Sequence, residues 1–201
     1  MIFENSLQRI VAANRFSRPF RPVTDAVLGR NFPLHAERRL LICYHPNEIC
    51  WSLVYPYFHH AGDFMSQYGM AIRTMPVGRF LDGGPIPEAD IVVIQPWFTE
   101  PPERVEQAIL RYQDQNPAVK LIFLDSFAPT DLRLGKAVFP HVHRYQRKAV
   151  FRDRTLFLRS FAGDTNLTEY YSYLYGLPAE PTNWQVPEGL LKRLSLVPGF
   201  L

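Results

Sequence analysis

The chain is poor in cysteine and lacks long apolar runs, and these absences exclude several classes of protein. It has two cysteines among 201 residues, Cys43 and Cys50, and their spacing matches neither a redox C-x-x-C motif nor a zinc knuckle. No segment approaches the ~20 apolar residues of a membrane-spanning helix, and the N-terminus lacks the features of a signal peptide. We therefore expect two buried thiols in a reducing compartment, and a cytoplasmic protein.

The excess of positive over negative charge is also small. The formal net charge is +3 and the isoelectric point is about 8.9. This weak basicity suits an anionic ligand but is too small to indicate a nucleic-acid partner, so we expect none.

The phosphate-binding motifs of nucleotide-binding folds are missing. A dinucleotide-binding turn should place glycines after the first strand, where this chain has His45-Pro46-Asn47-Glu48. No Walker A sequence occurs, and no G-x-S-x-G elbow surrounds Ser126, which disfavours a hydrolase nucleophile there.

What the chain does contain is a series of short, nearly continuous apolar runs, which are typical of strands covered on both faces. Amphipathic helical patterns follow the first and third runs, an alternation that indicates a parallel sheet. We predict an α/β protein with a three-layer Rossmann-like domain and a mainly parallel sheet. The four predicted strands are Arg39–Tyr44, Met70–Met75, Ile91–Ile94 and Val119–Leu124.

Helix boundaries follow from capping residues. Asn47 is the predicted N-cap of the first helix and Gly69 ends the helical stretch that follows. Thr99 is the predicted N-cap of the helix after the third strand. Asn166, followed by Glu169, predicts a further helix that starts with a reciprocal cap.

Three segments are predicted. Residues 1–35 form a basic, partly helical extension, which could lie on a membrane surface or on the domain itself; we favour the second. Residues 36–177 form the α/β domain, with two further short strands at 143–151 and 155–158. Residues 178–201 form a linker and a short helix.

The carboxyl ends of the predicted strands carry a group of polar and aromatic residues. Ligands of open α/β sheets bind outside these ends. We therefore predict a binding rim that contains His45, Asn47, Gln95 and Trp97.

Two carboxylates, Asp125 and Asp131, flank the loop after the fourth strand. A carboxylate fixed at a strand end can hold a hydroxyl group or act as a base. The equally weighted alternative is a loop brace in which Asp131 caps a helical turn and Asp125 accepts backbone N–H bonds. The nearby basic stretch, which includes Arg147, is interpreted mainly as a solvated strand face, with Lys148 and Arg152–Arg154 left open as ligand contacts.

Three sequences in the second half of the chain, LIFLDSFAPTDLR, RYQRKAVFRDR and GDTNLTEYY, carry a resemblance to a known family. They resemble the N-terminal, acceptor-side half of bacterial GT-B type glycosyltransferases that make polysaccharides. The resemblance covers about Arg38–Tyr175 and is most specific after Leu121. It implies that a sugar is transferred from a nucleotide-sugar donor to a saccharide acceptor.

The resemblance also implies roles for residues. Asp125 and Asp131 would contact the acceptor hydroxyl as the catalytic pair. The helix start at Asp164, Thr165 and Asn166 would join the rim in binding substrate. The nucleotide-sugar is a co-substrate held by a second domain or a partner, and neither a metal nor another cofactor is expected. The alternative is a non-catalytic interaction module that has kept the fold.

Overall fold

The computed structural model describes residues 32–128, 131–163, 165–178, 181–182 and 188–197. Most of the predicted N-terminal extension lies outside these residues. The strands are β1 Arg38–Tyr44, β2 Met70–Pro76, β3 Ile91–Gln95, β4 Lys120–Asp125, β5 Arg144–Arg147, β6 Phe161–Ala162, β7 Pro181–Thr182 and β8 Leu194–Leu196. Six of them form one parallel sheet with the spatial order β2-β1-β3-β4-β5-β8, and the two short strands β6 and β7 form an antiparallel pair.

Helices cover both faces of the large sheet, so the predicted three-layer α/β architecture is confirmed. Three 3-10 segments, Phe139–His141, Arg154–Leu158 and Glu188–Arg193, complete the described structure. The helices are α1 Glu48–His59, α2 Ala61–Tyr68, α3 Val77–Leu81, α4 Pro102–Gln115, α5 Gly135–Val138 and α6 Asn166–Tyr175.

Alternation of side chains along β1 explains the layers, because successive residues of a strand point to opposite faces. Leu41 and Cys43 belong to the core formed with α3, α4 and α5. Leu40, Ile42 and Tyr44 belong to the opposite core, formed with α1. Both faces of the strand are thus buried, as its continuous apolar sequence predicts.

The strand order creates a crevice at the carboxyl edge of the sheet. β1 pairs with β2 on one side and with β3 on the other. The connections that leave β1 and β3 therefore run in opposite directions, which is the topological switch point where open α/β sheets bind ligands. The residues that follow Tyr44 and Gln95, which face each other in the register of β1 and β3, line this crevice.

Several predicted boundaries are confirmed. Asn47 caps α1, its side chain accepting a hydrogen bond from the backbone N–H of Ile49. Gly69 follows α2 in the left-handed conformation, with φ of 61°, which glycine adopts without steric cost.

Other predictions are wrong. The N-cap of α4 is Pro101 rather than Thr99, since the two prolines that follow Glu100 already fix the backbone of the first turn. Thr155–Leu158 belongs to a 3-10 helix rather than a strand. Leu194–Leu196 pairs with β5, so the sheet continues past the predicted domain boundary at residue 177.

The start of α6 also differs from the prediction. The N-cap is Thr165, whose Oγ1 accepts a hydrogen bond from the N–H of Thr168 at 2.9 Å, and Asn166 is the first helical residue. Glu169 does not reach back to a cap at Asn166. It forms a bidentate ion pair with Arg159, with N–O distances of 2.6 and 2.8 Å.

We expect Thr165→Ala to lower the free energy of unfolding by about 1 kcal/mol, as the loss of an N-cap does. Asn166→Ala should lower it by less than half as much, because that residue no longer holds the cap position. Urea denaturation of the two variants measures the difference. An Asn166→Ala loss equal to or larger than that of Thr165→Ala would contradict the assignment of the cap.

Candidate functional site

Two rings meet at the switch point and form a platform at the carboxyl edge. His45, one residue after β1, stacks on Trp97, two residues after β3, with ring centroids 5.0 Å apart and planes inclined by 23°. Both side chains are partly exposed. Two of the predicted rim residues are therefore in contact at the place where the strand order reverses.

The aromatic surface continues along the same edge. Trp97 contacts Phe98 at 4.8 Å between centroids, and Phe98 contacts Phe127 at 6.2 Å. The guanidinium of Arg133 lies 5.6 Å from the centroid of the Phe98 ring, in the range of a cation–π contact. We call the ring surface of His45, Trp97 and Phe98 the rim platform.

The local fold fixes the tautomer of the neutral His45 ring. The backbone N–H of Asn47 donates to Nδ1 of His45 at 3.3 Å, so a neutral ring carries its proton on Nε2. Burial lowers the pKa of His45, and the nearby Glu100 opposes this shift. The lowered pKa favours the neutral ring, which can donate a hydrogen bond through Nε2.

Asn47 and Gln95 lie at the predicted rim, but their side chains are engaged in holding α1. The side-chain oxygen of Asn47 is the α1 cap. Gln95 is completely buried, and its Nε2 donates to the carbonyl of Cys50 at 3.0 Å. These two residues position the β1 and β3 ends beneath the platform.

Asp125 lies below the rim rather than on it. The residue is completely buried, and Oδ1 accepts from the N–H of Phe127 at 2.9 Å. Oδ2 accepts from the Tyr145 hydroxyl at 2.9 Å and lies 3.0 Å from Nε of Arg147. Burial raises the pKa of Asp125 to about 6, and the charge of Arg147 opposes this shift. With no exposed oxygen, the carboxylate acts here as a brace that joins the ends of β4 and β5.

Arg147 was missed by the sequence interpretation, which placed it on a solvated strand face. It is 1% exposed and sits opposite Asp125 in the register of β4 and β5. Its neighbour Lys148 is exposed, in agreement with alternation along the strand. The alternation of RYQR, with Tyr145 and Arg147 on one face, was a usable sequence signal.

Asp131 is also held by an arginine. It is 4% exposed, and its two oxygens accept from Nε of Arg133 at 3.0 Å each. The pair fixes the guanidinium against Phe98. Arg133, which is partly exposed, is thereby the cation presented at the end of the rim platform.

The structure describes only part of the predicted substrate-binding segment at the start of α6. Asp164 lies outside the described residues, and the side chain of Asn166 is not described. Thr165 uses its hydroxyl as the cap of α6. Near it, Gly163 has φ of 79°, a conformation that favours glycine, and a side chain there would collide with Thr168.

The amino edge of the sheet offers a rival location. A cavity of about 710 Å³ lies there, and its charged groups include Arg39 and Asp90. These two are paired with each other at 2.8 Å. Position in the fold favours the carboxyl edge instead, because parallel sheets bind ligands there.

No group of three or more His, Cys, Asp or Glu side chains able to hold a metal ion occurs in the described part of the chain. None of the described helices has both the length and the apolar character needed to cross a bilayer. Both cysteines are free and buried, as the sequence predicts.

Comparison with known proteins gives no assignment for this arrangement: the sequence matches no protein-family model, no curated protein and no solved structure.

Proposed function

We propose that this chain is the acceptor-binding domain of a GT-B type glycosyltransferase, and that it holds a saccharide acceptor on the rim platform. The observation that carries the proposal is the stack of His45 on Trp97 at the switch point. An aromatic face beside a neutral imidazole donor suits a sugar ring, which has apolar C–H faces and hydroxyl groups at its edge. The sequence resemblance adds the reaction class.

In this proposal the chain's own residues bind and orient the acceptor. Trp97 supplies the stacking face and Nε2 of His45 donates to a hydroxyl group. Arg133, fixed by Asp131, supplies positive charge toward the phosphates of a nucleotide-sugar held by a second domain or a partner. The buried Asp125 supports the loop after β4, so we no longer assign it a contact with the acceptor hydroxyl.

A reducing compartment is part of the same proposal. Free, buried thiols are common in proteins of the cytoplasm, where disulfides are rare. We therefore place the chain there, where it would act without a disulfide.

A binding screen tests the proposal. We expect one or more oligosaccharides to stabilise the folded chain, and at 100-fold excess over the dissociation constant the gain is about 2.7 kcal/mol. For a chain of this size that gain raises the melting temperature by about 5–10 °C. Nucleotide-sugars alone should give no shift. Stabilisation by nucleotide-sugars but not by saccharides would contradict an acceptor-side assignment.

A second candidate function is a non-catalytic interaction module. It is favoured by one observation: both predicted catalytic carboxylates form ion pairs within the chain, Asp125 with Arg147 and Asp131 with Arg133. The downstream reading frame of the gene discriminates between the candidates. A nucleotide-sugar-binding half encoded there favours the transferase, and an unrelated sequence favours the module.

The proposed role of His45 gives a pH dependence. The pKa of His45 is lowered in the folded chain, so saccharide affinity should be constant from pH 8 to about 6.5, the ordinary histidine pKa. It should fall at lower pH, because a proton on Nδ1 opposes the N–H of Asn47 and so displaces the ring from its stack on Trp97. Calorimetric titration of the chain and of His45→Gln measures this.

The His45→Gln variant is the control, since the described part of the chain holds five other histidines. Its affinity should be lower than that of the parent at pH 8 but independent of pH. Since a lowered folded pKa also makes stability fall as pH falls, the chain must be shown to be folded at each pH. An equal pH dependence in both proteins would exclude His45 as the titrating contact.

A further inference from the structure

Helix α6 turns an apolar stripe toward solvent. Leu167, Tyr170, Tyr171, Leu174 and Tyr175 follow the spacing i, i+3, i+4, i+7 and i+8, which places them on one side of a helix. They are between 43% and 65% exposed. In most globular proteins a stripe with this spacing faces the core. We call these five residues the α6 stripe.

Part of the rest of the helix attaches it to the domain, while Tyr173, which lies outside the stripe, is 89% exposed. Glu169 pairs with Arg159, and the Thr168 side chain lies next to Gly163. Because Glu169, the charged residue of the helix, lies outside the stripe and pairs with Arg159, the α6 stripe itself carries no charge. It therefore has the composition of an interface core, which is enriched in tyrosine and depleted in charged residues.

The exposed area is at the upper end of what the largest apolar patch of a monomer shows, about 300–600 Å². The three tyrosines of the stripe expose roughly 300 Å² at a full side-chain area of about 200 Å² each, and the leucines add to it. Leu177, just after the helix, is 54% exposed and extends the patch. The total is on the order of 600 Å², and contiguous apolar patches above a few hundred Å² mark interaction sites.

We propose that the α6 stripe is a homodimer interface, on which a second copy of this chain packs its own α6 about a twofold axis. Two patches of this size bury about 1,200 Å² together, the lower limit for a stable interface. An uncharged stripe pairs with itself without repulsion between like charges. Twofold dimers, in which the same patch serves both copies, are the commonest oligomers. This inference goes beyond the proposed function and does not depend on it.

The test is the mass of the intact chain in solution. Sedimentation velocity between 1 and 100 µM should show a concentration-dependent shift from 23.3 kDa to twice that mass. Leu174→Lys places a charge within the stripe and should weaken association at least tenfold. The matched control is Leu110→Lys, on the outer face of α4, where Leu110 is 45% exposed against 50% for Leu174. That variant should dimerise as the parent does.

A charge-swap pair guards against a variant that has lost its fold. Leu174→Lys and Leu174→Glu should each associate at least tenfold more weakly than the parent and should form a heterodimer when mixed, because the interface then holds opposite charges. Circular dichroism confirms the fold of each.

Several outcomes would overturn the proposal: a monomer at all concentrations, an assembly unaffected by Leu174→Lys, or equal weakening by Leu110→Lys. A monomer at all concentrations would instead assign the α6 stripe to residues 1–31 of the same chain or to another protein.

Discussion

Arg147→Met should destabilise the chain by about 3 kcal/mol or more at pH 8, the loss expected when one partner of a buried ion pair is removed. Arg147 and Asp125 are 1% and 0% exposed, so no solvent can replace the missing guanidinium. Methionine fills similar space with apolar atoms, so the effect reports the charge and not a cavity. Urea denaturation measures it.

The loss should depend on pH in a defined direction. Without Arg147, the pKa of the buried Asp125 rises above the value of about 6 that it has beside the arginine. A carboxyl group whose folded pKa exceeds its unfolded pKa loses stability as pH rises through the folded value. The Arg147→Met defect should therefore be smaller at pH 5 than at pH 8.

A double variant is the control. Asp125→Asn combined with Arg147→Met removes both charges and keeps an acceptor for the N–H of Phe127. Since whole buried pairs can often be replaced at little cost, it should recover most of the lost stability. A double variant as unstable as Arg147→Met, with a defect that is equal at both pH values, would contradict the description of Asp125 as an ion-paired brace.

Trp97→Ala should weaken saccharide binding at least tenfold, because it removes the larger ring of the rim platform and leaves His45 without its stacking partner. Ring stacking of this kind contributes about 1–3 kcal/mol per contact in other aromatic binding surfaces. Trp97→Phe keeps an aromatic face and should lose less than half as much binding free energy.

Tyr68→Ala is the matched control, since Tyr68 is a 54% exposed aromatic residue at the end of α2. It should bind saccharide as the parent does. Because Trp97 is partly exposed, its removal should change the melting temperature little. If Trp97→Ala lost saccharide binding only to the extent that it lost stability, the result would contradict a role of the rim platform in recognition.

The architecture was predictable because its signals are local. The β1 sequence RRLLICY is apolar without interruption from Leu40 to Tyr44, and such a run is buried on both faces only between two layers of helices. The caps at Asn47 and Gly69 depend on single residues with strong conformational preferences. From the strand positions alone, the residues that follow each strand could be placed at the carboxyl edge of the sheet, although their contacts were not predictable.

The errors arise where distant segments decide the outcome. Asp125 pairs with Arg147 on the next strand, β5, which begins 19 residues after Asp125. A sequence pattern does not show which residues of two strands will pair. At α6, threonine and asparagine are both good N-caps; Thr165 holds the position because its φ of −132° and ψ of 153° are extended. The strand Leu194–Leu196 is too short to give a periodic signal.

We propose above all that a saccharide binds at the carboxyl edge of the sheet, on His45 and Trp97. The most direct measurement is an NMR titration of the folded chain with the saccharide that stabilises it most. We expect the largest shifts at the Trp97 indole N–H, the His45 ring and the Phe98 amide, and small shifts at Arg39, Asp90 and Asn116 of the amino-edge cavity. Shifts confined to the amino edge, or no saccharide-dependent shifts at all, would contradict the claim.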